Sequence, residues 1–222
     1  MNMRTCVVIP AYNEEQRIGS MLRALIEASF EVIAVDDGST DETFREMKKL
    51  PVRAMRHILN LGQGAALRTG TELAIDLGYE IIVHADADGQ HRIEDIRVVA
   101  ETLNDSNFGV VIGSRFLTSE QVLPLKKKLI LSLAKIFSHK ILKLPFSDPQ
   151  SGLRALRAEF YNQLQWQEDD FAHCSEILNL IAEKNIPFKE IPIVVNYDEY
   201  ADSKLIRPKI RMGWKMMMDK IL

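Results

Sequence analysis

The sequence predicts an α/β domain with a mostly parallel central sheet and helices on both faces. Two observations predict it. Strand-like apolar runs alternate regularly with helix-period segments through residues 1–115, the pattern of a parallel sheet wrapped by helices. Polar clusters follow the predicted strands at Tyr12-Asn13-Glu14, Asp36-Asp37-Gly38-Ser39, Asn60 to Gly64, Asp86 to His91 and Ser114-Arg115. In sheets of this kind ligands bind at the carboxyl ends of the strands, so these clusters are expected on one rim. The chain's 222 residues suffice for one sizeable domain, or a domain with a small appendage.

Taken in order, TCVVIP at 5–10 reads as a buried strand that Pro10 stops. Asn13 is an expected N-cap. Glu14 and Glu15 suit a positive helix start, and Ile18, Met21, Leu22, Leu25 and Ile26 form an apolar helical face. A second strand runs Glu31 to Asp36, Asp41 opens a short helix, and 52–58 reads as a third strand. NLGQGAALRTGTELAIDLG then leads from Asn60, Gly62 and Gly64 into a helix. A fourth strand at 81–85, a helix from Glu94 to Leu103 and a strand from Gly109 to Gly113 follow.

The second half is patterned differently. QVLPLKKKLILSLAKIFSHKILKL, 121–144, projects as a helix with a wide apolar face and a polar stripe of Lys128, Ser132, Lys135, His139 and Lys143. It reads either as a core or homodimer-packing helix or as a basic amphipathic helix lying on anionic lipid. SDPQSGLRALR, 147–157, is turn-rich and then a strand. Helical segments are expected near 158–165 and 173–184, then a late strand in IPFKEIPIVVNY. The tail from Lys204 is basic and Met-rich and reads as a packed helix or a lipid contact.

Composition narrows the function classes. The formal net charge is −3, so nothing global points to nucleic acid. Cys6 and Cys174 are far apart, with no ligand-like spacing, and read as reduced structural thiols. The N-terminus lacks the apolar run of a signal peptide, and no window reaches the roughly 18 apolar residues of a membrane span. The expected location is cytoplasmic, at most peripheral on a membrane.

The most informative stretch is IIVHADADGQH, 81–91. Asp86 and Asp88 are spaced i, i+2 at the end of an apolar run, and a strand sends such residues to one side. Two neighbouring carboxylates repel unless a cation or proton lies between them. Mg²⁺ or Mn²⁺ is the natural occupant, with room left for substrate phosphates. The plainer alternative is a turn after a strand. An EF-hand loop is excluded, because Gly89 falls at the fourth position rather than the sixth.

Together VVIPAYNEE, VDDGSTDET, NLGQGAALRTG and HADADGQH, in this order, resemble the family 2 glycosyltransferases of the GT-A fold. The nearest branch is the dolichyl-phosphate mannose synthase type. The resemblance covers residues 5–116 strongly and SDPQSGLRALR more weakly. It implies a single catalytic domain over 1–222, with a nucleotide-sugar-binding half at 1–116 and an acceptor-side half at 117–222. It also implies an inverting transfer from a UDP- or GDP-sugar to a polyprenyl phosphate, or to a saccharide hydroxyl.

By the same resemblance Pro10, Tyr12, Asn13 and Glu14 line the base and ribose, and Asp36 and Asp37 hold the base edge and ribose. Gly62, Gln63 and Gly64 form the loop that approaches the donor, where glycine permits close contact. Asp86 and Asp88 are the metal-binding carboxylates, Gln90 is a third oxygen ligand, and Arg115 lies near the phosphates. Asp148 stands beside the acceptor, with Ser151, Gly152 and Arg154 in its motif. Asp148 and Asp88 are the catalytic candidates, the first as base for a hydroxyl acceptor. His91 reads as a metal neighbour or a helix-entry residue, and His84 as a packing residue.

The chain departs from the family pattern in two places. Gln63 stands where most relatives carry Lys. In NYDEYADSK, Asp198 and Ala201 replace the arginine and glycine of the loop that closes over the diphosphate. Ser203 and Lys204 remain, and Lys204, Arg207 or Lys209 would have to compensate. That change keeps a second reading open, a nucleotide-binding partner subunit without catalysis. A nucleotidyltransferase would carry a Gly-rich basic loop after the first strand, where this chain has AYNEE.

Overall fold

In the computed structural model, residues 3–118 and 146–196 are described. They hold seven strands: β1 (Thr5–Ala11), β2 (Glu31–Asp36), β3 (Arg53–Arg56), β4 (Ile81–His84), β5 (Val110–Ser114), β6 (Arg154–Arg157) and β7 (Phe188–Pro192). The helices are α1 (Ile18–Glu27), α2 (Thr43–Lys48), α3 (Gln63–Asp76), α4 (Ile93–Asn104) and α5 (His173–Glu183), with a 3₁₀ segment at Ala158–Gln163.

All strands join one sheet in the order β3-β2-β1-β4-β6-β5-β7. Only β6 runs against its neighbours, pairing antiparallel with both β4 and β5. Strands from both halves of the sequence therefore share the sheet.

The alternation of side chains along the strands builds two cores. Val7 and Ile9 of β1, with Val32 and Ala34 of β2 and Ile81 and Val83 of β4, face the layer of α1 and α4. Cys6, Val8, Ile33, Val35 and Ile82 face the opposite layer, where Ala66 and Leu67 of α3 and Ile177 and Ile181 of α5 pack. Strands buried on both faces read as continuous apolar runs, which is why TCVVIPA and IIVH carry no polar alternation. Among the described residues no helix is long and apolar enough to cross a membrane.

Several element readings change. Helix α1 begins at Ile18, not at Asn13, and no side chain caps it. Asn13 has φ 55°, a left-handed conformation open to Asn, and its Oδ1 accepts from the Thr40 N–H at 2.9 Å. The hydroxyls of Ser39 and Thr43 take the N–H groups of Asn13 and Glu14 at 2.9 and 2.8 Å. A cross-loop network thus engages the Asn13 side-chain oxygen that a cap would have used. Strand β3 is shorter than 52–58, and the segment after Arg157 is 3₁₀. The stretches 121–144 and 204–222, including Lys204, lie outside the described residues.

Candidate active site

The chain runs outward from β1 to β2 and β3, then returns to place β4 on the other side of β1. This reversal is a topological switch point, where the loops after adjacent strands part and leave a crevice. A cavity of about 530 Å³ opens over the carboxyl ends of β1 and β4, within the size range of small-molecule sites.

One wall is the loop after β1: Pro10, Tyr12, Asn13 and Glu14 all line the cavity. Tyr12 is exposed and available to stack on a flat ligand. Asp37 also lines it, but its carboxylate is engaged. Oδ1 accepts from the Leu61 N–H at 3.0 Å and lies 2.7 Å from His57 Nδ1, and Oδ2 accepts from the Gly62 N–H at 2.7 Å. Asp37 is therefore the anchor of the 57–62 loop. Asp36 is wholly buried, lies 3.0 Å from Arg56 Nε, and does not reach the cavity.

Gly62 and Gln63 form the next part of the wall, whereas Gly64 lies behind it. Gly62 has φ +112°, and a Cβ there would stand 2.4 Å from the Asp169 carbonyl oxygen, so only glycine fits. Gln63 Nε2 donates to Asp86 Oδ1 at 2.7 Å.

The acidic pair continues the strand alternation beyond β4. Ala85 and Ala87 are buried in the core, while Asp86 and Asp88 line the cavity. His91 Nε2 lies 3.3 Å from Asp86 Oδ2, and Gln90 Nε2 is buried without a partner among the described residues. His91 thus neighbours the acidic pair rather than simply opening α4. Gly152 makes room for Asp86, since a Cβ there would stand 2.6 Å from Asp86 Oδ2. Burial and the facing Asp86 carboxylate push Asp88 up to about 6. A pair so strained by like charge fits a cation.

Among the described residues, no three His, Cys, Asp or Glu side chains enclose an ion by themselves. Two carboxylates suffice for Mg²⁺ or Mn²⁺ when substrate phosphates and water complete the shell. Asp86, Asp88 and the Gln90 amide are the donors available, so the residues present fit such a group.

Arg115 lines the cavity, and Asp148 lies behind it. Arg115 Nε and Nη2 donate to Asp148 Oδ2 and Oδ1 at 2.6 and 2.7 Å, and the Arg115 N–H adds a bond to Oδ2 at 3.1 Å. Asp148 is fully buried. Glu190 of β7 shapes this turn by accepting from the Ser147 N–H and hydroxyl, both at 2.9 Å.

Sequence reasoning missed His57, Glu190, Asp170, Phe171 and Cys174, of which the last three line the cavity. Nothing local marks them, because each arrives from a distant element. His84 is buried, with Nε2 2.9 Å from the Thr71 hydroxyl and its ring edge-on to Trp166. Burial and Arg154 hold its imidazole well below the usual range.

A mostly parallel sheet with a polar crevice at its switch point, an acidic pair and a glycine-tight loop is the architecture of an enzyme acting on nucleotide-activated substrates. The Glycosyl transferase family 2 model matches residues 6–165, and the chain belongs to this family. It is a glycosyltransferase, of the branch that includes the dolichyl-phosphate mannose synthases.

It is 35% identical to a UDP-N-acetylglucosamine–dolichyl-phosphate N-acetylglucosaminyltransferase of Methanococcus voltae, over 95% of this chain and 92% of that one. It is 28% identical to a polyprenol monophosphomannose synthase of Mycolicibacterium smegmatis, over 94% of this chain and 83% of that one. A glucosyl-3-phosphoglycerate synthase from Mycobacterium tuberculosis, solved with Mn²⁺, uridine diphosphate and phosphoglyceric acid, shares the fold. Its TM-score is 0.71 at 17% identity, over 95% of this chain and 74% of that one.

Proposed function

We propose that this chain transfers a sugar from a nucleotide-diphosphate sugar to a polyprenyl phosphate, inverting the anomeric centre by direct displacement. The carrying observation is the cavity itself. It gathers the Asp86–Asp88 pair, the Tyr12–Glu14 wall, the Gly62 loop and Arg115 around one space. The β1 loop and the Gly62 loop would hold the nucleotide. Asp86, Asp88 and Gln90 would hold Mg²⁺ or Mn²⁺, which when bound neutralises the charge that builds on the departing diphosphate. The M. voltae relative takes a UDP-sugar by its name, which makes UDP the first nucleotide to test.

The environment of Asp148 favours a phosphate over a hydroxyl acceptor. A hydroxyl needs a carboxylate base within hydrogen-bond reach, yet both oxygens of Asp148 are bound by Arg115 inside the protein. A phosphate is already an anion and needs none. Asp148 then serves to position Arg115 rather than to move a proton. Both named relatives carry a polyprenyl or dolichyl acceptor in their names. The lysines at 126–128, 135 and 143 would bring the protein to an anionic bilayer, each contributing on the order of 1 kcal/mol.

The test is a donor panel, in which thermal stability is measured with UDP, GDP and their sugars, with and without Mn²⁺. Binding to the native state raises the midpoint by mass action. The stabilising donor is then supplied with a polyprenyl phosphate or a saccharide. Stabilisation by no nucleotide overturns the donor reading. Transfer to a saccharide alone overturns the acceptor reading, and binding without any transfer favours the non-catalytic partner.

A further inference from the structure

The cavity wall also carries a cluster that the transfer reaction leaves unused. Cys174 is the second residue of α5, is half-buried, and lines the cavity. Its Sγ lies 3.0 Å from Arg154 Nη2 and 3.4 Å from His173 Nε2. His173 is wholly buried, and its Nδ1 lies 2.7 Å from the Asp170 carbonyl oxygen. That contact has Nδ1–H donating to the carbonyl oxygen and leaves Nε2 to face the sulfur.

Arg154 supplies the second observation. Its side chain is 2% exposed, and Nε and Nη1 have no partner among the described residues. The remaining nitrogen, Nη2, donates to the Ser151 carbonyl at 3.0 Å and to Cys174 Sγ. A buried guanidinium without an anion is costly, and the sulfur is the group placed to supply one.

We infer that Cys174 is a nucleophilic thiolate and a site of covalent modification by small soft electrophiles, with its adducts filling the donor cavity. With a peroxide, Sγ attacks one oxygen, an S–O bond forms and the O–O bond breaks. The sulfur is oxidised by two electrons to a sulfenic acid, and the departing hydroxide takes up a proton and leaves as water. With a haloacetamide, an S–C bond forms and the halide departs with the bonding electrons. Burial works against the thiolate, but Arg154, His173 and their hydrogen bonds outweigh it and bring the thiol down to about 6. Among the described residues these are the two titratable groups acting on it. Cys6 is an internal control, being fully buried, with burial pushing its thiol up to about 12.

The experiment treats the full chain with iodoacetamide at pH 6 and follows each cysteine by peptide mass, folded and in denaturant. At that pH about half of Cys174 is thiolate against roughly 0.3% of an ordinary thiol, and the lower nucleophilicity of an acidic thiolate removes about tenfold of that gain. Cys174 should therefore react about tenfold faster in the folded chain than in denaturant, while folded Cys6 stays unlabelled. A folded rate equal to or below the denatured rate overturns the inference. In Arg154→Met the advantage should vanish, and if that variant does not fold the wild-type comparison decides alone.

The cavity-filling half rests on the donor reading. Alkylated protein should bind UDP with Mn²⁺ at least tenfold more weakly, and undiminished binding would overturn that half. If unmodified protein binds no nucleotide, it is the donor reading that falls, and the labelling rate still decides whether Cys174 is a thiolate.

Discussion

Arg115 and Asp148 are bound to each other at both ends: two guanidinium nitrogens meet the two carboxylate oxygens at 2.6 and 2.7 Å. The pair joins the end of β5 to the turn before β6. Arg115→Ala leaves a fully buried carboxylate unpaired and should destabilise the fold by about 3–5 kcal/mol, read by denaturant unfolding. Asp148→Asn keeps the shape and should retain measurable transfer to a phosphate acceptor. Complete loss of transfer in a folded Asp148→Asn protein would return Asp148 to the role of base.

Asp88 makes stability depend on pH. Its folded value, raised to about 6 by burial and by Asp86, exceeds the ordinary carboxylate value of about 3.9. The folded state therefore holds the proton more tightly. Stability falls as pH rises from about 4 to about 6, and the penalty is complete above that. Asp88→Asn should flatten this dependence and stabilise the ligand-free protein at pH 7.5 by about 1–2 kcal/mol, while abolishing stabilisation by Mn²⁺. A midpoint that drops at pH 7.5 would show that Asp88 is not strained.

Gly152 is the test of whether the position of Asp86 matters for cation binding. A methyl group there would stand 2.6 Å from Asp86 Oδ2, so Gly152→Ala must move the carboxylate. The thermal shift with Mn²⁺ and UDP should shrink to near zero while circular dichroism stays native. An unchanged shift would mean that Asp86 does not hold the cation.

Gln63 offers a gain rather than a loss. Its amide meets Asp86 Oδ1 at 2.7 Å, and a lysine there would bring a cation to the same place. Gln63→Lys should strengthen UDP binding without divalent ion by about fivefold, consistent with a single charge-assisted contact of about 1 kcal/mol. Calorimetry in chelator reads this directly, and weaker binding would argue that the lysine instead neutralises Asp86 to no benefit.

The sequence by itself determined the class of sheet, the strands that build it and most of the cavity. Continuous apolar runs such as TCVVIP and IIVH have no solvent face, so they must be central strands, and the polar residues directly after them must appear at the rim. Local periodicity carries that information, because burial and strand ends are properties of neighbours in sequence. Asp86 and Asp88 were legible for this reason.

Only the tertiary structure decided which rim residues meet. The antiparallel insertion of β6 between β4 and β5 brings Gly152 against Asp86 and turns Arg154 beneath the cavity. The docking of α5 then carries Cys174 to that same wall, and the end of β5 pairs Arg115 with Asp148. Sheet order is a choice among long-range pairings that periodicity does not encode. Cys174 thus read as a structural thiol, and Asp148 as a candidate base, with no sign in the sequence of the Arg154 and Arg115 side chains that meet them.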